Sequence, residues 1–231
     1  MHDARAGARI DETMERASEA LTATDYFEAE SLCIRALAMA HRARDFERMA
    51  RICLPLQEAR RQKRLLAIDA GSVFVISRPE DVPRRLEAGR YLIQPPMIGA
   101  DARTLREVAD RERVPALVLC REPATKAGLW PIVAIGPQTI RTKVPPPPDP
   151  TAPDAAWFEA TAEALGDAAI ARLKPDDPPQ WRVADLLEFL EAHPDHEKLH
   201  QRLEQACREA IGAAEPAGRR RRNVIDDPFG F

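Results

Sequence analysis

Asparagine is almost missing from this chain, with Asn223 its sole example, and the basic residues are nearly all arginine. That bias reads as the codon composition of a GC-rich genome rather than as a chemistry. No run approaches the ~18 consecutive apolar residues that a membrane-crossing helix needs. The opening MHDARAGARIDETMERAS lacks the apolar centre of a secretory signal. The four cysteines, Cys33, Cys53, Cys120 and Cys207, form no CxxC pair, which argues against a zinc ribbon or a disulfide framework. Each falls in an apolar pattern and reads as a small buried hydrophobe, so a reducing cytoplasm is the expected compartment. A net charge of −3 gives no basic footprint for nucleic acid. Neither a GxGxxG loop nor a P-loop is present, so both standard glycine-rich phosphate cradles are lacking. What is there is ordinary for a globular protein of one or two units: 231 residues, 45% of them apolar.

The first ~65 residues carry helical periodicity. Ile10, Met14, Ala17 and Leu21 mark one apolar face. Thr24 and Asp25 interrupt it, and Asp25 with Glu28 three residues on is a helix-start signature. Ala29, Leu32, Cys33, Ala36, Leu37 and Ala40 then mark a second helix. Asp45 opens a third, with Phe46, Met49, Ile52, Cys53 and Leu56 on its stripe. Pro55 lies inside that stripe and is expected to bend or end the helix near Leu54. The run EARRQKR after it suits a helix C-terminus.

TDYFEAESLCIRAL and RDFERMARICLPL echo one another at an offset of ~20 residues. Over about residues 10–60 the pattern resembles a tetratricopeptide repeat, with Asp25-Tyr26 opening the second helix and Ala29 and Ala36 at the close-packing positions. Ala17 and Ala20 stand where the family has glycine and tyrosine, and His41 where it has its closing proline. The resemblance implies a helical hairpin that presents a protein-binding surface. So few repeats cannot bury a core alone, so these helices must pack on the rest of the chain or on another.

From Gly71 the period changes. Val73-Phe74-Val75-Ile76 reads as a buried strand, Asp81-Val82-Pro83 as the start of a short helix ended by Gly89, and Tyr91-Leu92-Ile93 as a second strand. Asp101 is expected to cap a helix carrying Leu105, Val108 and Ala109. Further strands are expected at 116–120, 132–135 and 139–144, the last an edge strand with Arg141 and Lys143 on its outer face. This order predicts a small, mostly parallel sheet with crossover helices and a terminal β-hairpin.

The expected fold class is therefore mixed α+β and α/β, with helices on both sides of the sheet in sequence. The expected division is 1–66 helical, 71–145 a sheet unit, 146–153 a proline-rich linker, 154–214 a C-terminal helical segment and 215–231 a disordered tail. In the C-terminal segment, Trp157, Phe158, Ala162, Leu165 and Ile170 mark one helix and Val183, Leu186, Leu187 and Leu190 a second. Asp195 is expected to cap a third.

Four groups of residues could carry function. His196-Glu197-Lys198-Leu199-His200 matches HExxH, the zincin pattern that sets two histidines on one helix face beside a general base. Lys198, Gln201 and Arg202 give the segment a solvated look and no third ligand is evident, so no metal is expected there. Gln94, Asp101, Arg121, Glu122 and Lys126 fall at or near the carboxyl ends of the strands, where an α/β sheet would hold a small ligand. Arg35 and Arg42 lie on the helical surface of the repeat-like segment. Arg219 to Arg222 form a basic run, followed by Ile225, Phe229 and Phe231, apolar anchors suited to a short docking peptide. The leading expectation is a non-catalytic interaction or adaptor protein of the cytoplasm. The alternative is a small-ligand-binding or enzymatic α/β domain. The expected partner is another protein or a second copy of this chain, with no cofactor, membrane or nucleic acid involved.

Overall fold

A computed structural model describes residues 2–218. Three helices come first: α1 (His2–Thr22), α2 (Tyr26–Ala43) and α3 (Phe46–Asp69). The two turns between them repeat one another. Thr24 and Arg44 each take a left-handed conformation, and the next residue is an aspartate whose side chain caps the following helix. Asp25 accepts from Glu28 N at 3.1 Å and Asp45 from Arg48 N at 3.0 Å, each satisfying an otherwise orphaned helical donor. The echo in the sequence is thus a repeated turn chemistry. Ala29 and Ala36 are fully buried where α2 packs between its neighbours. Arg48 then ties α3 back to α1 through a two-pronged bond to Asp11, at 2.9 and 2.8 Å.

Pro55 does not end α3, contrary to expectation; the helix runs unbroken for 24 residues. A proline inside a helix costs about 3 kcal/mol through its missing N–H and its ring clash. Here Ile52, Cys53, Leu56 and Ala59 are buried on both sides of it, against α2 and the C-terminal helices, and that burial outweighs the local loss. EARRQKR is consequently mid-helix, and Arg60, Lys63 and Arg64 turn inward rather than capping an end, while Arg61 pairs with Glu58 on the surface.

The sheet has five strands in sequence order: β1 (Val73–Ile76), β2 (Gly89–Ile93), β3 (Ala116–Arg121), β4 (Trp130–Ala134) and β5 (Ile140–Val144). The first three are parallel and the last two turn back antiparallel. The helix expected between β1 and β2 is absent. Only a single 3-10 turn forms, over Pro79–Asp81, where Asp81 accepts from Ser77 N and Arg78 N at 3.0 Å each. Downstream, the Tyr91 hydroxyl donates to Glu87 O at 2.6 Å and accepts from Glu87 N at 3.1 Å. A buried side chain thereby satisfies the backbone that a helix would have satisfied. The one crossover helix is α4 (Gly99–Arg111), between β2 and β3. Asp101 sits in its first turn and bonds back to Ile98 N at 2.8 Å; it is not the cap residue itself.

Three more helices follow: α5 (Ala155–Ile170), α6 (Pro179–Ala192) and α7 (Glu197–Ala210). Asp154 caps α5. His196, not Asp195, is the residue preceding α7. The segment between β5 and α5 is anchored by Trp157 Nε1, which donates to Pro145 O at 3.0 Å.

The strands alternate between two cores. Leu92, Leu117, Leu119, Ile132 and Ile140 face a large core shared with α1, α2, α3, α5, α6 and α7. Tyr91, Ile93, Cys120 and Val133 face a smaller one under α4. The fold is therefore α+β, with the sheet between one helix and six among the described residues. The N-terminal helices close their apolar face on the sheet and on α7, which answers the packing requirement of so short a repeat-like segment. Among the described residues, no helix is long and apolar enough to cross a membrane.

Candidate functional site

The repeat-like helices carry a shallow groove on the side away from the sheet. Its walls are two arginine pairs at i, i+7 spacing: Arg9 and Arg16 on α1, and Arg35 and Arg42 on α2. One helical turn in between, Thr13 and Met39 form the floor, and the groove continues over buried Ile10. Its two adjoining parts measure about 420 and 290 Å³. Arg35 lies 3.6 Å from Glu28, a long and exposed pair. Arg9, Arg16 and Arg42 meet no carboxylate among the described residues, and Glu12 is the one acid lining the groove. Exposed guanidinium groups beside Ala38 and Met39 offer planar, bidentate recognition of carboxylates together with a small apolar contact. Of these four arginines the sequence pointed to Arg35 and Arg42. Arg9 and Arg16 share their spacing and could have been found by it.

The strand-end residues come together only in part. Gln94 Nε2 donates to Ser77 Oγ at 2.8 Å, and Arg121 donates to Gln94 Oε1 through Nη2 at 2.7 Å and Nε at 3.1 Å. Arg121 also lies over the Trp130 ring, 4.3 Å from its centre. This chain links the ends of β1, β2 and β3, and its members satisfy one another. Glu122 pairs with Arg141 at 3.2 Å, Asp101 is used in helix capping, and Lys126 is exposed in the turn between β3 and β4. The cavity between α4, the ends of β3 and β4 and the α6–α7 connection is about 20 Å³, room for about one water. Small-molecule sites need about 300 Å³ or more.

The HExxH segment departs from expectation. His196 and His200 are buried, not solvated, because residues 196, 199, 200 and 203 form the inward face of α7 against α3, α5 and α6. The three motif residues have three different partners. Glu197 pairs with Arg64 at 2.7 Å. His200 contacts Arg60 through Nε2 at 3.2 Å and His196 O through Nδ1 at 3.0 Å. His196 turns toward α5. No zincin centre is assembled.

Arg60 belongs to a charged seam between α2, α3, α4 and α7. Glu30 accepts from Arg60 at 2.7 Å and from Lys63 at 2.5 Å, and Lys63 also reaches Asp110 at 2.5 Å. Burial by itself would raise the Glu30 carboxyl, but Arg60 and Lys63 together bring it down to about 2. His200 is pushed down to about 3, first by burial and then by the Arg60 charge. His193, whose Nε2 lies 2.9 Å from Ala162 O, is also pushed down to about 3, first by burial and then by His196. These groups hold helices together, and of them His193 lines the small cavity beside the α6–α7 connection.

Arg219 to Arg222, Ile225, Phe229 and Phe231 lie outside the described residues. No protein-family model, no curated protein and no solved structure matches the chain.

Proposed function

We propose that this chain is a non-catalytic interaction protein whose α1–α2 groove receives an acidic, amphipathic segment of a partner protein. The observation that carries this reading is the set of four groove arginines around Thr13, Ala38 and Met39, three of them without a carboxylate partner among the described residues. In the buried seam, by contrast, Arg60 and Lys63 share the Glu30 carboxylate, so arginines left without a carboxylate and gathered on one face are a positive feature. The tetratricopeptide-like hairpin supports the same use of the surface, and four buried free thiols support a reducing cytoplasm.

The test is fluorescence anisotropy with a labelled Glu/Leu amphipathic helical peptide. Wild type should bind, more weakly as salt rises, because exposed charge pairs are screened. Arg35→Glu with Arg42→Glu should weaken binding at least about tenfold, which corresponds to about 1.4 kcal/mol. Equal binding by wild type and double variant would remove the groove from the function. The competing small-ligand reading is tested by thermal shift with nucleotides and metabolites. A compound that stabilises wild type but not Arg121→Ala would move the function to the strand ends. If the groove instead receives a second copy, sedimentation will show a concentration-dependent dimer that the double reversal abolishes.

A further inference from the structure

His196 lies at the start of α7 with its side chain fully buried, and among the described residues neither ring nitrogen makes a well-aligned hydrogen bond. Its ring rests on Gly166 of α5: a β-carbon there would come within 2.1 Å of His196 Cγ. That fit aims Nε2 at two carboxylates one helical turn apart on α5. Nε2 is 3.2 Å from Glu163 Oε2 and 3.6 Å from Asp167 Oδ1, and the three ligand atoms all lie within 4.8 Å of one another. Tetrahedral zinc with bonds of about 2.0–2.1 Å sets its ligands about 3.3 Å apart, so the two distances from His196 suit that ion. A cationic group already sits against these atoms. Lys198 Nζ is 3.1 Å from Glu163 Oε2 and 3.0 Å from Asp167 Oδ1. Its side chain is 52% exposed and free to swing into solvent.

We infer that His196, Glu163 and Asp167 form a site for a zinc-type divalent cation, with Lys198 as the displaceable internal occupant. One imidazole with two carboxylates suits zinc better than magnesium or calcium, whose sites are built from oxygen. Glu163 and Asp167 are open to solvent, so water completes the coordination. Bound metal would clamp α5 to α7. The site takes one histidine from the HExxH segment and none of that motif's zincin geometry, and it shares no residue with the arginine groove.

The experiment is calorimetric titration of the full chain, stripped by chelator, with zinc chloride at neutral pH. Asp167→Asn and Lys198→Met alter exposed side chains and leave the buried core untouched. Wild type should bind one zinc, and Asp167→Asn should bind at least about tenfold more weakly. Lys198→Met should bind severalfold more tightly, because the competing ammonium is gone. A merely structural ion pair would give no such opposite response. Absence of zinc binding by both wild type and Lys198→Met would overturn the assignment. So would binding that is unchanged in Asp167→Asn, since the zinc would then sit on other histidines.

Discussion

The charged seam joining α2, α3, α4 and α7 and the groove between α1 and α2 are both built from cations and acids on helices, and they use charge in opposite ways. In the seam the side chains of Glu30, Arg60 and Lys63 are only 10–11% exposed, and every charge is matched across helices. In the groove the Arg35 side chain is 55% exposed, and three of its neighbours pair with no carboxylate among the described residues. Buried charges are costly to leave unpaired, so the seam holds the helices in register. Exposed charges contribute little to stability, so the groove arginines are free to serve an external partner.

Removing one member of the seam should have the largest effect. Glu30→Ala leaves Arg60 and Lys63 without their shared carboxylate, and denaturant unfolding should show a loss of about 3–5 kcal/mol. Acidification should come next. His193 and His200 are held neutral in the folded chain, whereas in the unfolded chain they titrate near the ordinary 6.5. Between 6.5 and about 3 the unfolded state therefore binds protons that the folded state does not, and stability falls as pH falls. Each histidine contributes about 1.4 kcal/mol per pH unit in that window. Urea unfolding at pH 7.5 and 5.5 should differ by about 2–3 kcal/mol. Glu30 adds a loss only below its ordinary 4.5, down to about 2. Gly166→Ala ranks third: its new methyl group strikes the His196 ring, and overpacking of this kind costs about 1–3 kcal/mol. Arg35→Glu with Arg42→Glu should change stability least, by no more than about 0.5 kcal/mol, while it abolishes peptide capture. A large destabilisation there would show that the groove arginines are structural, and the contrast with the seam would collapse.

Much of the fold was legible because its signals are local. The stripe from Ala29 to Ala40, the caps Asp25 and Asp45 and the alternation of Ile140, Thr142 and Val144 each state their element within a few residues. The errors arose where distant groups decide. Nothing near Asp81 discloses that the Tyr91 hydroxyl will take over the Glu87 backbone. Nothing around Pro55 says that the helix will be buried on both sides. The seam escaped for the same reason: Glu30 and Arg60 are 30 residues apart and follow no period. Half of the groove was found because Arg35 and Arg42 sit on a helical face already recognised. Glu163 and Asp167 were missed because two acids one turn apart are common, and only the folded chain brings His196 to them.

The contact between Arg60 and His200 closes a loop of 140 residues. On a ribosome adding ~5–20 residues each second, α7 emerges roughly 7–30 seconds after α3. Throughout that interval the face of α3 that packs on α7 has nothing to cover it, and Arg60 has no imidazole beside it. Vectorial synthesis therefore leaves the amino-terminal half as a waiting client, exposed to whatever holds nascent chains, until the last helix arrives and completes it.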